Sequence, residues 1–280
     1  MSGQSLADRL AVCSWSLQPA DPAELIGQMQ QLGMDKIQLA LDPLWADEKW
    51  SDAGRQLADA GIAVVSGMFG CEGEDYSTLE TIRQTGGIVP DATWETNWSN
   101  IQKVVKVAEH LGLDLVSFHA GFLPEEPSDP SYARLADRVV QIANLFAGAG
   151  IDLGFETGQE DAATLKGFLD RMGKPNVGVN FDPANMILYA KGDPVESVKI
   201  LMGSLKGVHI KDATKTLTPG EWGAEVPVGT GEVDWVSFFA ALDAGDYEGY
   251  LCIEREAGGD RVTDINTAAN FVRETLGKAG

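Results

Sequence analysis

The sequence is poor in histidine, cysteine and positive charge: its 280 residues hold three His, three Cys and 21 Lys and Arg against 42 Asp and Glu, a formal net charge of −21. The shortage of basic residues argues against DNA or RNA as a partner, because nucleic-acid affinity depends chiefly on Lys and Arg neutralising phosphates. The three cysteines, Cys13, Cys71 and Cys252, are odd in number, far apart and without metal-finger spacing. Reduced thiols buried as small hydrophobes are therefore expected, in a reducing compartment. No apolar run approaches membrane-spanning length, so no membrane partner is expected. Residues 1–16 carry one Arg and one Asp and lack a basic head followed by a long apolar stretch. No secretory signal is read there, and a cytoplasmic protein is expected.

What is present describes one globular unit. Hydrophobic residues make up 44% and charged residues 22%, and no linker, low-complexity tract or short-period repeat divides the chain. Short β-branched runs alternate with stretches of helical period about eight times, which predicts parallel strands joined by crossover helices. Strands are expected near residues 10–14, 36–40, 63–67, 115–119, 153–156, 177–181, 207–210 and 250–254. The expected fold is α/β, a single (β/α)8 TIM barrel of parallel strands over residues 1–280, a length that suits the roughly 250 residues such barrels take.

Helix signals fit the gaps. Asp21-Pro22-Ala23-Glu24 opens the first helix and Gly33 follows its last turn, while Asp193-Pro194-Val195-Glu196 repeats the start signal. Ile101, Val104, Val105, Ala108 and Leu111 form one apolar stripe, Leu135, Val139, Ile142 and Phe146 a second, and Ile265, Ala269, Val272 and Leu276 a third. Residues 70–95 and 212–234 break the rhythm after the third and seventh strands. Loops at strand C-termini make the active-site face of a barrel, so these two are expected to wall or cover a substrate.

Four segments place a metal-capable side chain at or just past a strand end: Gly154-Phe155-Glu156-Thr157, Asn180-Phe181-Asp182-Pro183, Val208-His209-Ile210-Lys211 and Cys252-Ile253-Glu254-Arg255. One such carboxylate among 42 acids would be an ordinary cap or ion-pair partner. Four at corresponding places on strands five to eight can meet at the mouth of a barrel, although 26, 27 and 45 positions separate them. Three carboxylates and an imidazole in one place repel and raise pKa values unless a cation compensates them. One divalent metal bound by Glu156, Asp182, His209 and Glu254 is the economical reading. The oxygen-rich set favours Mn2+, with Mg2+, Co2+ or Zn2+ as alternatives, over a structural zinc site built from Cys and His.

The runs FET, NFDP, HIKD and CIERE resemble the xylose-isomerase-like barrel superfamily, in particular its sugar isomerase/epimerase branch, and the likeness spans nearly the whole chain. The resemblance implies that the Glu, Asp, His and Glu ligands bind one metal and that Glu156 and Glu254 also exchange protons with substrate. TPGEWGAEVPVGTGEVDW resembles that branch's loop after strand seven. One departure stands out: several ketose epimerases of the family carry a histidine shortly after the Asp ligand, where this chain reads DPANM.

The expected reaction is epimerisation or isomerisation of a sugar or keto-sugar. One glutamate takes a proton made acidic by the polarised carbonyl, an enediolate forms, and the other glutamate returns a proton. The same ligands would serve a lyase or dehydratase acting on a keto-glycoside or keto-polyol, and a non-catalytic sugar-binding barrel is a further alternative. Around the centre, Trp15 fits a platform for a sugar face and Gln38 a hydroxyl partner, with core packing as the bland reading of each. His119 orients substrate or a ligand, or is a satisfied core histidine. Lys211 stabilises an oxyanion or pairs with a ligand carboxylate. His110 is read as surface. Gly229-Thr230-Gly231 has the form of a phosphate cradle, but Glu232 and Asp234 and the lack of adjoining basic residues favour an unphosphorylated sugar. A nuclease of abasic DNA, which shares the barrel but uses several metals and many histidines, fits poorly with three histidines and this charge. Family barrels often pair, and residues 70–95 are a candidate bridge, so a homo-oligomer is compatible with the resemblance.

Overall fold

The structure, a computed structural model, describes residues 5–124, 128–218 and 220–279. Met1 to Gln4 of the N-terminal reading and Pro219 of the loop motif lie outside the described residues. Among the described residues, ten strands form: β1 (Leu10–Cys13), β2 (Lys36–Ala40), β3 (Ala63–Met68), β4 (Leu115–Phe118), β5 (Asp152–Glu156), β6 (Val177–Phe181), β7 (Leu205–Ile210), β8 (Asp212–Thr214), β9 (Ala224–Val226) and β10 (Leu251–Ile253). Eight of them close into a barrel in the order β1-β10-β7-β6-β5-β4-β3-β2, with every neighbouring pair parallel. Strands consecutive around the barrel are thus side by side, as the alternation predicts. The eighth barrel strand, β10, is shorter than expected and leaves Glu254 just past its end.

Each wall of the barrel has two faces with different chemistry. Leu10 and Val12 of β1 join the large core under the helices, whereas Ala11 and Cys13 join Cys252 in a separate small cluster on the other face. The period of two along a strand produces that division. Most apolar burial lies between sheet and helices, where Phe118, Phe146, Phe155, Phe168, Phe181 and Phe238 are fully buried. Each such side chain stabilises the fold by roughly 1.5–3 kcal/mol. The outer layer can therefore carry stability while small and polar residues occupy the interior.

The helix signals hold in detail. Asp21 accepts the Glu24 amide at the start of the helix Pro22–Leu32, and Gly33 closes it in the left-handed region. Asp193 caps Pro194–Leu201 in the same way. The three apolar stripes face the core, His110 is exposed, and Cys13, Cys71 and Cys252 are free thiols, of which Cys71 is only partly buried. Residues 70–95 hold the short helix Leu79–Thr85 and the start of Asp91–Leu111. Residues 212–234 fold back as an antiparallel ribbon, β8 against β9. Among the described residues, no helix is long and apolar enough to cross a membrane.

Candidate metal centre

The four side chains singled out at strand ends converge. Glu156, Asp182, His209 and Glu254 each offer a ligand atom within 4.8 Å of the others, and all four residues are between 0 and 4% exposed. Glu156 ends β5 and His209 lies on β7, while Asp182 follows β6 and caps the helix Pro183–Leu188. The Glu254 amide donates to Ile210 O at 3.1 Å, which continues the ladder one residue past β10.

The protein satisfies only half of three of these groups. Asp182 Oδ1 accepts the Ala184 and Asn185 amides at 2.8 and 3.1 Å, and Oδ2 has no hydrogen bond. Glu156 Oε1 accepts from Asn185 Nδ2 at 3.1 Å, and Oε2 has none. His209 Nδ1, 3.3 Å from Glu156 Oε1 and 3.4 Å from Glu254 Oε2, is likewise without a hydrogen-bond partner. Three buried polar atoms left open around one point need a partner, since unsatisfied polar groups in a core are costly. Three carboxylates and a neutral imidazole are donors that suit an oxygen-preferring divalent ion. The residues present fit such an ion.

The imidazole is oriented from below. Ser117 donates to Gly67 O at 3.4 Å, Gln38 Nε2 donates to Ser117 Oγ at 3.0 Å, and Gln38 Oε1 is thereby turned to His209 Nε2 at 2.7 Å. An amide oxygen only accepts, so His209 carries a proton on Nε2, and Nδ1 is the nitrogen turned to the carboxylates, free to serve as a ligand once an ion displaces any proton it holds. Gln38 therefore does not offer its amide to a substrate hydroxyl, as the sequence suggested. At 1% exposure, its contacts are His209, Ser117 and Cys13. Cys13, whose thiol burial pushes well above its usual pKa, donates to Gln38 Oε1 at 3.3 Å and remains behind the ring.

Charge accounts for the rest. Burial pushes the Asp182 carboxyl up to about 7 against the pull of Lys211. Burial also opposes ionisation of Glu254, but Lys211 and His209 outweigh it and hold this carboxyl well below the usual range. Glu156 is lowered too, burial being overcome by His119 and His209. At His209 burial disfavours the charged ring, yet the Glu254 carboxylate raises its pKa well above normal. The cluster draws in positive charge, which is what a divalent cation would supply.

A cavity of about 550 Å3 opens over the centre, lined by Trp15, Tyr76, His119, Asn185, Tyr189 and Trp222 among others. Trp15 Nε1 donates to Glu254 Oε1 at 2.7 Å and presents its ring to the cavity. Lys211 Nζ bridges Glu254 Oε2 at 2.8 Å and Glu256 Oε2 at 2.6 Å, with Asp182 Oδ2 at 3.6 Å. His119 Nε2 lies 3.7 Å from Glu156 Oε2 and stands edge-on to Tyr76. Of the four residues expected to meet substrate, Trp15, His119 and Lys211 thus line the cavity and Gln38 does not. Both long segments contribute walls, Glu74 and Tyr76 from the first and Trp222 and Glu225 from the second. Asn185 and Glu256 were missed, although both carry a signal in their spacing: Asn185 is one helical turn after Asp182, and Glu256 lies two residues beyond Glu254.

Comparison with known proteins identifies the fold and the family. No protein of curated function matches the sequence significantly. Among solved structures, a xylose isomerase domain protein from Planctomyces limnophilus is 29% identical, with a TM-score of 0.88 over 96% of this chain and 98% of that one. L-ribulose 3-epimerase is 20% identical, with a TM-score of 0.74 over 97% and 95%. A xylose isomerase-like TIM barrel protein from Mycobacterium smegmatis, in complex with magnesium, is 18% identical, with a TM-score of 0.74 over 99% of both chains. Residues 26–275 match the description xylose isomerase-like TIM barrel, and the chain belongs to that family.

Proposed function

We propose that this protein is a divalent-metal-dependent epimerase or isomerase of a sugar or keto-sugar. Glu156, Asp182, His209 and Glu254 hold the ion, Mn2+ in the first instance, and Glu156 and Glu254 are the acid and base. The observation that carries this reading is the approach of both glutamates to a single imidazole nitrogen, 3.3 and 3.4 Å away, beneath a cavity walled by aromatic rings. When bound, the ion would polarise a substrate carbonyl and acidify the neighbouring C–H.

The chain's own residues then divide the work. Glu254 has both oxygens engaged, by Trp15 Nε1 and Lys211 Nζ, and is held as a carboxylate in a fixed pose. Glu156 keeps Oε2 free of hydrogen bonds and faces His119, so it can accept a proton and lose it again without breaking a bond to the protein. Trp15 gives a flat apolar face against which a sugar ring can rest, and His119 and Lys211 offer donors to its oxygens. The family resemblance supports the same reading, as does the fold shared with L-ribulose 3-epimerase.

The test is solvent exchange. With Mn2+ in D2O, a panel of ketoses and 3-keto-glucosides should include at least one that takes up deuterium at carbon, seen by NMR, and the uptake should vanish after chelation. Exchange that survives thorough chelation, or no exchange across the panel, would refute the assignment.

A further inference from the structure

A second cavity, of about 320 Å3, lies on the same face of the barrel as the metal centre but outside its mouth. Its walls come from the ends of four neighbouring strands. Arg83 belongs to the helix Leu79–Thr85 after β3, Phe122 and Leu123 follow β4, Gln159 and Glu160 follow β5, and Lys191 follows the helix Pro183–Leu188 after β6. Two rings part it from the cavity over the centre: Phe122 lines one, Tyr189 the other, and they meet edge-on with centroids 6.0 Å apart. The turn Tyr189-Ala190-Lys191 serves both sides.

With 42 acids for 21 lysines and arginines, uncommitted cations are scarce in this chain, yet two line this cavity. Among the described residues, neither Arg83 nor Lys191 closes an ion pair or a side-chain hydrogen bond. Gln159 is 3% exposed, and its Nε2 has no hydrogen bond of ordinary geometry. That nitrogen carries two N–H donors, so its approach to the Tyr189 hydroxyl leaves at least one open. A buried donor without an acceptor is costly and calls for a partner. Glu160 is 7% exposed, and burial pushes its carboxyl up to about 8, with Asp161 adding to the rise and Lys191 and the Leu123 amide opposing it. At neutral pH it therefore holds a proton to donate instead of a charge that repels anions. Asp129, across the cavity, is the one acid among the described lining residues held as a carboxylate. Its Oδ1 accepts from Ser131 N and Oγ at 2.7 and 2.6 Å, and two cations outnumber its charge.

We propose that this cavity is a binding site for a small oxyanion, a carboxylate or a phosphoryl group, which Arg83 and Lys191 hold by charge and Gln159 by its amide. Glu160 donates a further hydrogen bond while protonated and opposes the ligand once ionised. None of the four groups of the metal centre lines the cavity, so the site does not depend on the reaction proposed there.

Calorimetry on the chelated protein provides the test, with sulfate and malonate as probes, each a dianion from pH 7 to pH 9, in about 0.1 M chloride to screen distant charges. Sulfate has the shape of a phosphoryl group and malonate presents carboxylates, so the tighter binder names the source of the natural ligand. At pH 7 at least one should bind saturably, one per chain. Arg83→Ala and Lys191→Ala should each weaken it at least about tenfold, as the loss of a charge-assisted hydrogen bond implies. Lys106→Ala removes the same charge from an exposed position elsewhere and should change the affinity less than about twofold. Arg83 is exposed, so its variant reports even if Lys191→Ala does not fold. Glu160→Gln keeps a donor at every pH: wild-type affinity should fall several-fold from pH 7 to pH 9, and the variant's should hold. A parallel decline in the two proteins overturns the assignment of Glu160. No saturable binding of either probe at millimolar concentration overturns the site, as does binding that both cation variants leave intact, the mark of an adventitious ion only.

Discussion

Gln38 and His209, on strands at different places around the barrel, share a hydrogen bond of 2.7 Å between amide oxygen and Nε2, and this bond fixes which imidazole nitrogen faces the three carboxylates. Replacing Gln38 with Leu removes the acceptor and leaves the ring free to change tautomer or turn. Outer partners of metal-binding histidines are typically worth about 10–100-fold in metal affinity. Titration of Mn2+ into Gln38→Leu, followed by the EPR signal of the free ion, should show a loss of that order while the far-UV spectrum is unchanged. Unaltered affinity would show that the bond does not orient a ligand.

Glu156→Gln and Glu254→Gln keep shape and remove the exchangeable carboxylate. Each should lower deuterium exchange into substrate by at least about 100-fold, the usual scale of general acid–base catalysis. Sugar binding, measured separately by calorimetry, should persist more fully than turnover. A pure binding protein would have no exchange to lose.

Metal and stability are linked at Asp182. In the wild type, saturating Mn2+ should raise the unfolding temperature, because an ion at 100 times its dissociation constant stabilises the folded state by about 2.7 kcal/mol. Asp182→Asn relieves charge in the carboxylate cluster, so the chelated variant should be at least as stable as the chelated wild type yet gain little from Mn2+. A variant that is equally stabilised by the ion would remove Asp182 from the ligand set.

Glu160 supplies the pH dependence. Burial pushes its carboxyl up from 4.5 to about 8 despite Lys191 nearby. Between those values the unfolded chain releases the proton and the folded one keeps it, so stability falls as pH rises through this window and levels off above it. Urea unfolding with saturating metal should therefore show Glu160→Gln losing less stability than the wild type between pH 5 and pH 8. Parallel curves for the two proteins would show that this side chain titrates normally.

The barrel and its four polar strand ends are readable because both are written in short local patterns: apolar runs of about five residues, four of which carry an acid or histidine at or just past their end. Asn185 belonged to a readable pattern as well, since Asp182-Pro183 is a helix start and position 185 lies in its first turn. What was not readable comes from closure of the barrel. Gln38 has the parity of an inward residue, but whether such a residue meets substrate or a ligand depends on depth, which the register between strands sets. Asp42 reaches the cavity from the start of a five-residue helix too short to show a period, and Glu74 from a loop without periodicity. The three-residue ribbon strands are too short for an alternation to be recognised. The bond from the Gly229 amide to Asp212 Oδ2 was hidden for a related reason: the two residues are 17 apart in sequence, and only the hairpin between them brings them into contact.

That hairpin has a mechanical consequence. Glu225, on its returning strand, accepts from Arg255 Nη1 at 2.7 Å and from the backbone amides of Glu256 and Ala257 at 2.9 and 3.1 Å. The jaw that bears Trp222 is thus riveted to the three residues that directly follow Glu254, and it cannot swing without dragging that proposed ligand. The facing jaw, with Glu74 and Tyr76, hangs on the excursion between β3 and the helix Asp91–Leu111 and carries none of the four ligands. On the proposed function, changes on that side would reshape the substrate wall without moving any of the four side chains meant to hold the ion.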